Sequence, residues 1–132
     1  MARKKSTTLT EAELRLMDVL WKKGQATVGE IAEALPARLG LAYNTVLTTM
    51  RILEDKGYVR HSKPRQGRAF VYQARVDRDE ATRGAVRELL RRFFDHSHEA
   101  LVLNILQDEE LDEQERQRIR DLLDQLAQEE QS

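Results

Sequence analysis

Apolar residues recur at helical spacing through most of the chain, and the pattern switches only once to short β-type runs. Thr10 and Glu13 stand at capping-box spacing, with Leu9 and Leu14 at staple positions. They predict a helix whose apolar face is Leu14, Met17, Leu20 and Trp21 and which ends at Gly24. Thr27 and Glu30 repeat the spacing before a short stripe of Ile31, Ala32 and Leu35, which Pro36 stops. A third helix is predicted over Tyr43–Lys56, with Val46, Met50, Leu53 and Leu47 on one side and Gly57 as its C-cap.

Residues 58–62 and 69–74 are rich in β-branched and aromatic types, and Lys63-Pro64-Arg65-Gln66-Gly67-Arg68 lies between them, which predicts a hairpin with a basic tip. Helix formers return at Asp77, where Asp77 and Glu80 have cap spacing and Val86, Leu89, Leu90, Phe93 and Phe94 form an apolar face. A shorter apolar piece covers 100–106. A last helix over 112–130, capped by Asp112 with Glu115, carries Ile119, Leu122, Leu123 and Leu126 on one side. The expected fold is mainly α with a small β-hairpin: a winged helix-turn-helix DNA-binding domain at 1–76, then an α-helical dimerisation domain at 77–132.

Charge sharpens that division. The 132 residues carry a net charge of -1, but residues 1–76 hold 14 Lys and Arg against 7 Asp and Glu, whereas 77–132 hold 8 against 16. A basic half suits a polyanion and an acidic half does not. The absence of cysteine excludes disulfides, thiolate zinc sites and thiol catalysis. No window approaches the roughly 20 apolar residues of a membrane span and no signal-peptide pattern is visible, so a cytoplasmic protein without membrane insertion is expected.

Opposite its apolar stripe the third helix offers Tyr43, Asn44, Thr45, Thr48, Thr49 and Arg51, groups able to bond base edges or phosphates. The hairpin supplies Arg60, Lys63, Arg65 and Arg68, which would neutralise phosphates and position the protein on double-stranded DNA. In the second half, Val86, Leu89, Leu90, Phe93, Ile119, Leu122, Leu123 and Leu126 amount to more apolar surface than a chain of this size hides alone. They predict a homodimer, hence a palindromic operator.

Catalytic alternatives lack their chemistry. His98-Glu99-Ala100-Leu101-Val102 has Val where a zinc-protease helix needs its second His, and Ser6, Ser62, Ser97 and Ser132 lack the strand-turn-helix setting of a nucleophile. A non-enzyme without cofactor or metal is expected. Asp95-His96-Ser97-His98-Glu99 gathers metal-ligand types, though its two His do not share a helix face, and a polar loop is the commoner use of such a run. The alternative function is a winged-helix regulator controlled by a small ligand or metal at the dimer helices, near Phe93, Phe94 and Trp21.

The chain resembles the BlaI/MecI/CopY family of bacterial repressors. The resemblance is carried by Thr10-Glu11-Ala12-Glu13, Val19-Leu20-Trp21, the run from Asn44-Thr45-Val46 to Lys56-Gly57-Tyr58-Val59, Phe70-Val71-Tyr72 and Ala100-Leu101-Val102-Leu103-Asn104. It implies a homodimeric repressor on a dyad-symmetric operator. In antibiotic-sensing members it further implies release by a membrane-bound sensor metalloprotease that triggers cleavage, here between Asn104 and Ile105. Copper-sensing members end in a cysteine-rich tail, which this chain lacks. Basic side chains common in the family's recognition helix are replaced here by Asn44, Leu47 and Ile52.

Overall fold

The computed structural model describes residues 8–63 and 69–131. Helix α1 (Glu11–Lys23) begins at a complete capping box: the Glu13 N–H donates to the Thr10 hydroxyl at 3.1 Å and the Thr10 N–H to the Glu13 carboxylate at 2.8 Å. A short strand β1 (Gln25–Thr27) leads into helix α2 (Val28–Ala34), where Thr27 and Glu30 repeat the box. There the Thr27 N–H holds the Glu30 carboxyl below its ordinary range.

A 3₁₀ turn over Ala37–Leu39 then feeds helix α3 (Tyr43–Lys56). Gly57 closes α3 in the left-handed region (φ 91°), its N–H donating to the Glu54 carbonyl at 3.0 Å. Strands β2 (Val59–Ser62) and β3 (Val71–Ala74) follow, then helix α4 (Arg78–Phe93), whose first turn is capped by the Asp77 carboxylate accepting from the Glu80 N–H at 2.8 Å. Helix α5 (His98–Leu106) is capped by Ser97, and α6 (Glu113–Gln131) by Asp112.

The sheet has three strands in the order β1-β3-β2, all antiparallel, with Ala26 opposite Tyr72 and His61 also opposite Tyr72. Periodicity predicts the β2-β3 hairpin but not β1, because three residues are too few to show alternation and only pairing with β3 makes them a strand.

Beneath the sheet, Leu16, Met17 and Leu20 of α1 pack with Ile31, Val46, Met50, Leu53, Val59 and Tyr72 in one core. The buried face of α1 is therefore Glu13, Leu16, Met17 and Leu20, whereas Leu14 is 39% exposed and Trp21 is half-buried, a correction to the face expected from apolar residues alone. The stripe has regular i, i+3, i+4, i+7 spacing once a glutamate is allowed into it. Glu13 is tolerated inside because the Lys56 ammonium of α3 reaches its carboxylate at 2.8 Å.

The chain divides into two compact units, Met1–Glu88 and Leu89–Ser132, and α4 runs through the division. At the start of α4 the Trp21 indole N–H donates to the Val76 carbonyl at 2.9 Å, while the Arg78 guanidinium sits 4.7 Å from the Trp21 ring centroid and pairs with Asp18. In the second unit, Arg116 of α6 donates to the carbonyls of Leu106 and Leu111 at 3.2 and 3.5 Å, tying the α5-α6 connection together. No helix among the described residues is long and apolar enough to cross a membrane.

Lys56→Met leaves the Glu13 carboxylate buried without its cation and is expected to lower stability in urea unfolding by about 3 kcal/mol. A loss below about 0.5 kcal/mol would show that Glu13 relaxes to solvent at little cost. Alkali supplies a second test. Burial, reinforced by Glu13, raises the Tyr58 phenol above its ordinary 10.0, and burial with Glu54 does the same for Tyr72. A raised phenol contributes stability that is fully present below pH 10.0 and is lost as pH climbs through the folded-state value. Unfolding followed by circular dichroism should therefore accompany tyrosinate absorbance at alkaline pH, and Tyr58→Phe should move that transition upward.

Candidate nucleic-acid interface

Helix α3 buries Val46, Met50 and Leu53 and so presents its other side to solvent. Asn44, Thr45, Thr48 and Arg51 are all exposed there, and Tyr43 at the first turn is 52% exposed. Thr49 is half-buried at the edge of the face, its hydroxyl donating to the Thr45 carbonyl at 2.8 Å and keeping its acceptor lone pairs. Ile52, at 43% exposure, and exposed Asp55 also occupy this side. Periodicity leaves both off the candidate surface, and only the family resemblance singles out Ile52, as a recognition-helix position where basic side chains are common.

Strand β2 adds cations of its own. Arg60 of β2 is exposed, and its guanidinium donates to the Gln73 side-chain oxygen at 3.2 and 3.3 Å, while Gln73 donates to Gln25 at 3.1 Å. A polar ladder thus crosses the three strands and holds the Arg60 head in place. Lys63 is exposed at the end of β2; Arg65 and Arg68, named with it from the sequence, lie outside the described residues.

One bond between the helix and the sheet leaves no trace in the sequence pattern. The His61 Nδ1 lies 2.8 Å from both carboxylate oxygens of Glu54, and the imidazole is 4.8 Å from the Phe70 ring centroid and 5.6 Å from that of Tyr72. These residues belong to different elements, and only the strand register brings them together. Their contact fixes the last turns of α3 against β2 and β3.

In the second unit, Phe93 is 68% exposed, Leu122 58% and Leu126 57%, with Val102, Leu103, Ile105 and Leu123 also open and Ile119 half-buried. Val86 and Leu89 of α4 are exposed, whereas Leu90 is already buried within the single chain. Asn104 and Ile105 are both exposed on α5. In the ligand-like run 95–99, Asp95 and His96 form a turn with positive φ (49° and 65°), Ser97 caps α5, and His98 and Glu99 are its first residues. No three His, Asp or Glu groups gather for a metal among the described residues.

Known proteins share this organisation. A family model described as penicillinase repressor matches residues 9–125. The penicillinase repressor of Bacillus licheniformis is 30% identical over 112 residues, covering 85% of this chain and 86% of that protein. The transcriptional regulator BlaI of Mycobacterium tuberculosis is 38% identical over 87 residues, covering 65% of this chain and 62% of that protein. The solution structure of the DNA-binding domain of the repressor BlaI superposes with a TM-score of 0.50 at 31% identity, covering 59% of this chain and 93% of that one.

Proposed function

The chain belongs to the penicillinase repressor family, a family of transcriptional repressors and not of enzymes, and from that premise we propose that it represses transcription as a homodimer on a palindromic DNA operator. The observation that carries the DNA reading is the exposed polar face of α3, Asn44, Thr45, Thr48 and Arg51, together with exposed Arg60 on the strand that follows it and exposed Lys63 at that strand's end. Hydroxyl and amide groups near the start of a helix suit base edges in the major groove, and exposed cations beside it suit phosphates.

Self-association is supported by α6, a helix of 19 residues with no buried side chain in the single chain, whose Leu122, Leu123 and Leu126 lie open. A second copy is the economical cover for such a stripe, and two-fold symmetry places the recognition helices about 34 Å apart or a multiple of it.

Release follows from cleavage of the bond between Asn104 and Ile105, prompted by a membrane-bound sensor metalloprotease. Both residues are exposed on α5, a helix of only 9 residues, which opens locally at less cost than a long one before a protease takes it in extended form. The cut separates α6 from the rest of the chain.

Selection from a pool of random duplexes at two salt concentrations tests the repressor reading: a palindrome should be enriched, and salt-sensitive binding without enrichment would overturn sequence specificity. With the selected operator, Thr45→Ala should cut discrimination against random DNA by about fivefold. Lys63→Ala should weaken both alike and reduce the salt slope by about one unit. Leu122→Asp with Leu126→Asp, both at exposed sites, should leave the helical circular dichroism spectrum unchanged and give a monomer in sedimentation; a persisting dimer would place the interface elsewhere.

A further inference from the structure

A groove of about 550 Å³, with no residue of α3 in its lining, lies between α1 and the segment from the end of α2 through the 3₁₀ turn. Its volume falls within the roughly 300–1,000 Å³ of small-molecule sites. Val19, Leu35 and Leu39 give it an apolar lining, and Arg15, Lys22 and Arg38 give it positive charge. Lys22 and Arg38 form no ion pair among the described residues, and Arg15 has only an exposed contact with Glu11 at 3.6 Å. The carboxylate in the lining, Asp18, is already neutralised by Arg78. Free cations around an apolar trough are matched by one kind of occupant, an apolar body ending in an anionic head.

We propose that this groove binds an amphiphilic anion, such as a medium-chain carboxylate, with its chain on Val19, Leu35 and Leu39 and its head at Lys22 and Arg38. Two features connect the groove to the rest of the unit. Arg38 and Leu39 belong to the turn that feeds α3, and Asp18 holds Arg78 against Trp21 at the start of α4. Occupancy therefore lowers DNA affinity. That consequence rests on the repressor reading, whereas binding itself does not.

Calorimetric titration of the full chain with decanoate below its micelle concentration, without DNA, is the test, with decanol and inorganic phosphate as probes of each half of the ligand. Saturable 1:1 binding of decanoate, tighter than either control by at least about tenfold, is expected. Trp21, the single tryptophan of the chain, should change its emission along the same isotherm. Lys22→Glu with Arg38→Glu should weaken decanoate by at least about tenfold while leaving circular dichroism and urea unfolding unchanged. Equal affinity for decanol, or binding that survives both charge reversals, would overturn the proposal. So would charge reversals that reduce affinity for random duplex DNA with no decanoate binding to lose, since the groove would then be a phosphate-contacting surface.

Discussion

The Glu13 carboxylate serves two structures at once. It accepts the Thr10 N–H that starts α1 and the Lys56 ammonium from the last turn of α3, both at 2.8 Å. A buried carboxylate is stable only when its charge is matched and its lone pairs are occupied, so α1 cannot rotate or slide without breaking one of these bonds. Because Leu16, Met17 and Leu20 lie on the same face as Glu13, the pair also sets which residues of α1 enter the core. The C-terminal end of α3 is thereby held at a defined height against α1, and the Glu54–His61 contact holds the same turns against the sheet. A helix fixed on two sides is left with one free face, which carries Asn44, Thr45, Thr48 and Arg51.

Local chemistry makes much of this legible in the sequence. Helix starts at Thr10, Thr27 and Asp77 are marked by a side chain and its partner three residues on, and those bonds form as the spacing requires. Helix α3 is recognisable from end to end, because its apolar spacing is regular and Gly57 supplies a backbone conformation other residues resist. What stays hidden depends on partners distant in sequence. Strand β1 exists through its register with β3, Leu16 escapes the stripe because Glu13 one turn before it reads as a surface residue, and the Glu54–His61 bond needs the sheet to be in place. The polar residues of the candidate face are visible by subtraction from the core stripe, while periodicity alone does not reveal Ile52 and Asp55 on the same side, since their residue types point the wrong way or to bland solvation.

The two units use their apolar residues differently. In the first, each of α1, α2 and α3 buries an apolar stripe in one core around Met17, Ile31 and Met50, although Leu14 and Ile52 stay exposed. The second offers Phe93, Leu103, Ile105, Leu122, Leu123 and Leu126 to solvent while its polar groups are well capped, with Ser97 and Asp112 starting its helices and Arg116 closing its turn. Secondary structure there is complete and its hydrophobic face is not. That contrast follows from size: a short helical pair encloses too little volume to bury its own stripe.

Helix α4 is the covalent link between the two units. Its first turn is held by the indole bond to Val76, by the Arg78–Asp18 pair and by stacking of Arg78 on Trp21, and it crosses the boundary at Glu88 before ending at Phe93. Each of these contacts is exposed or half-buried, so each is weaker than the Glu13–Lys56 pair and more responsive to a neighbouring charge. Asp18, the acceptor of that pair, lies in the lining of the basic groove. The buried Glu13–Lys56 pair thus lies under α3, where movement would blur the free face, and the more exposed Asp18–Arg78 pair lies at the root of the helix that leaves the unit.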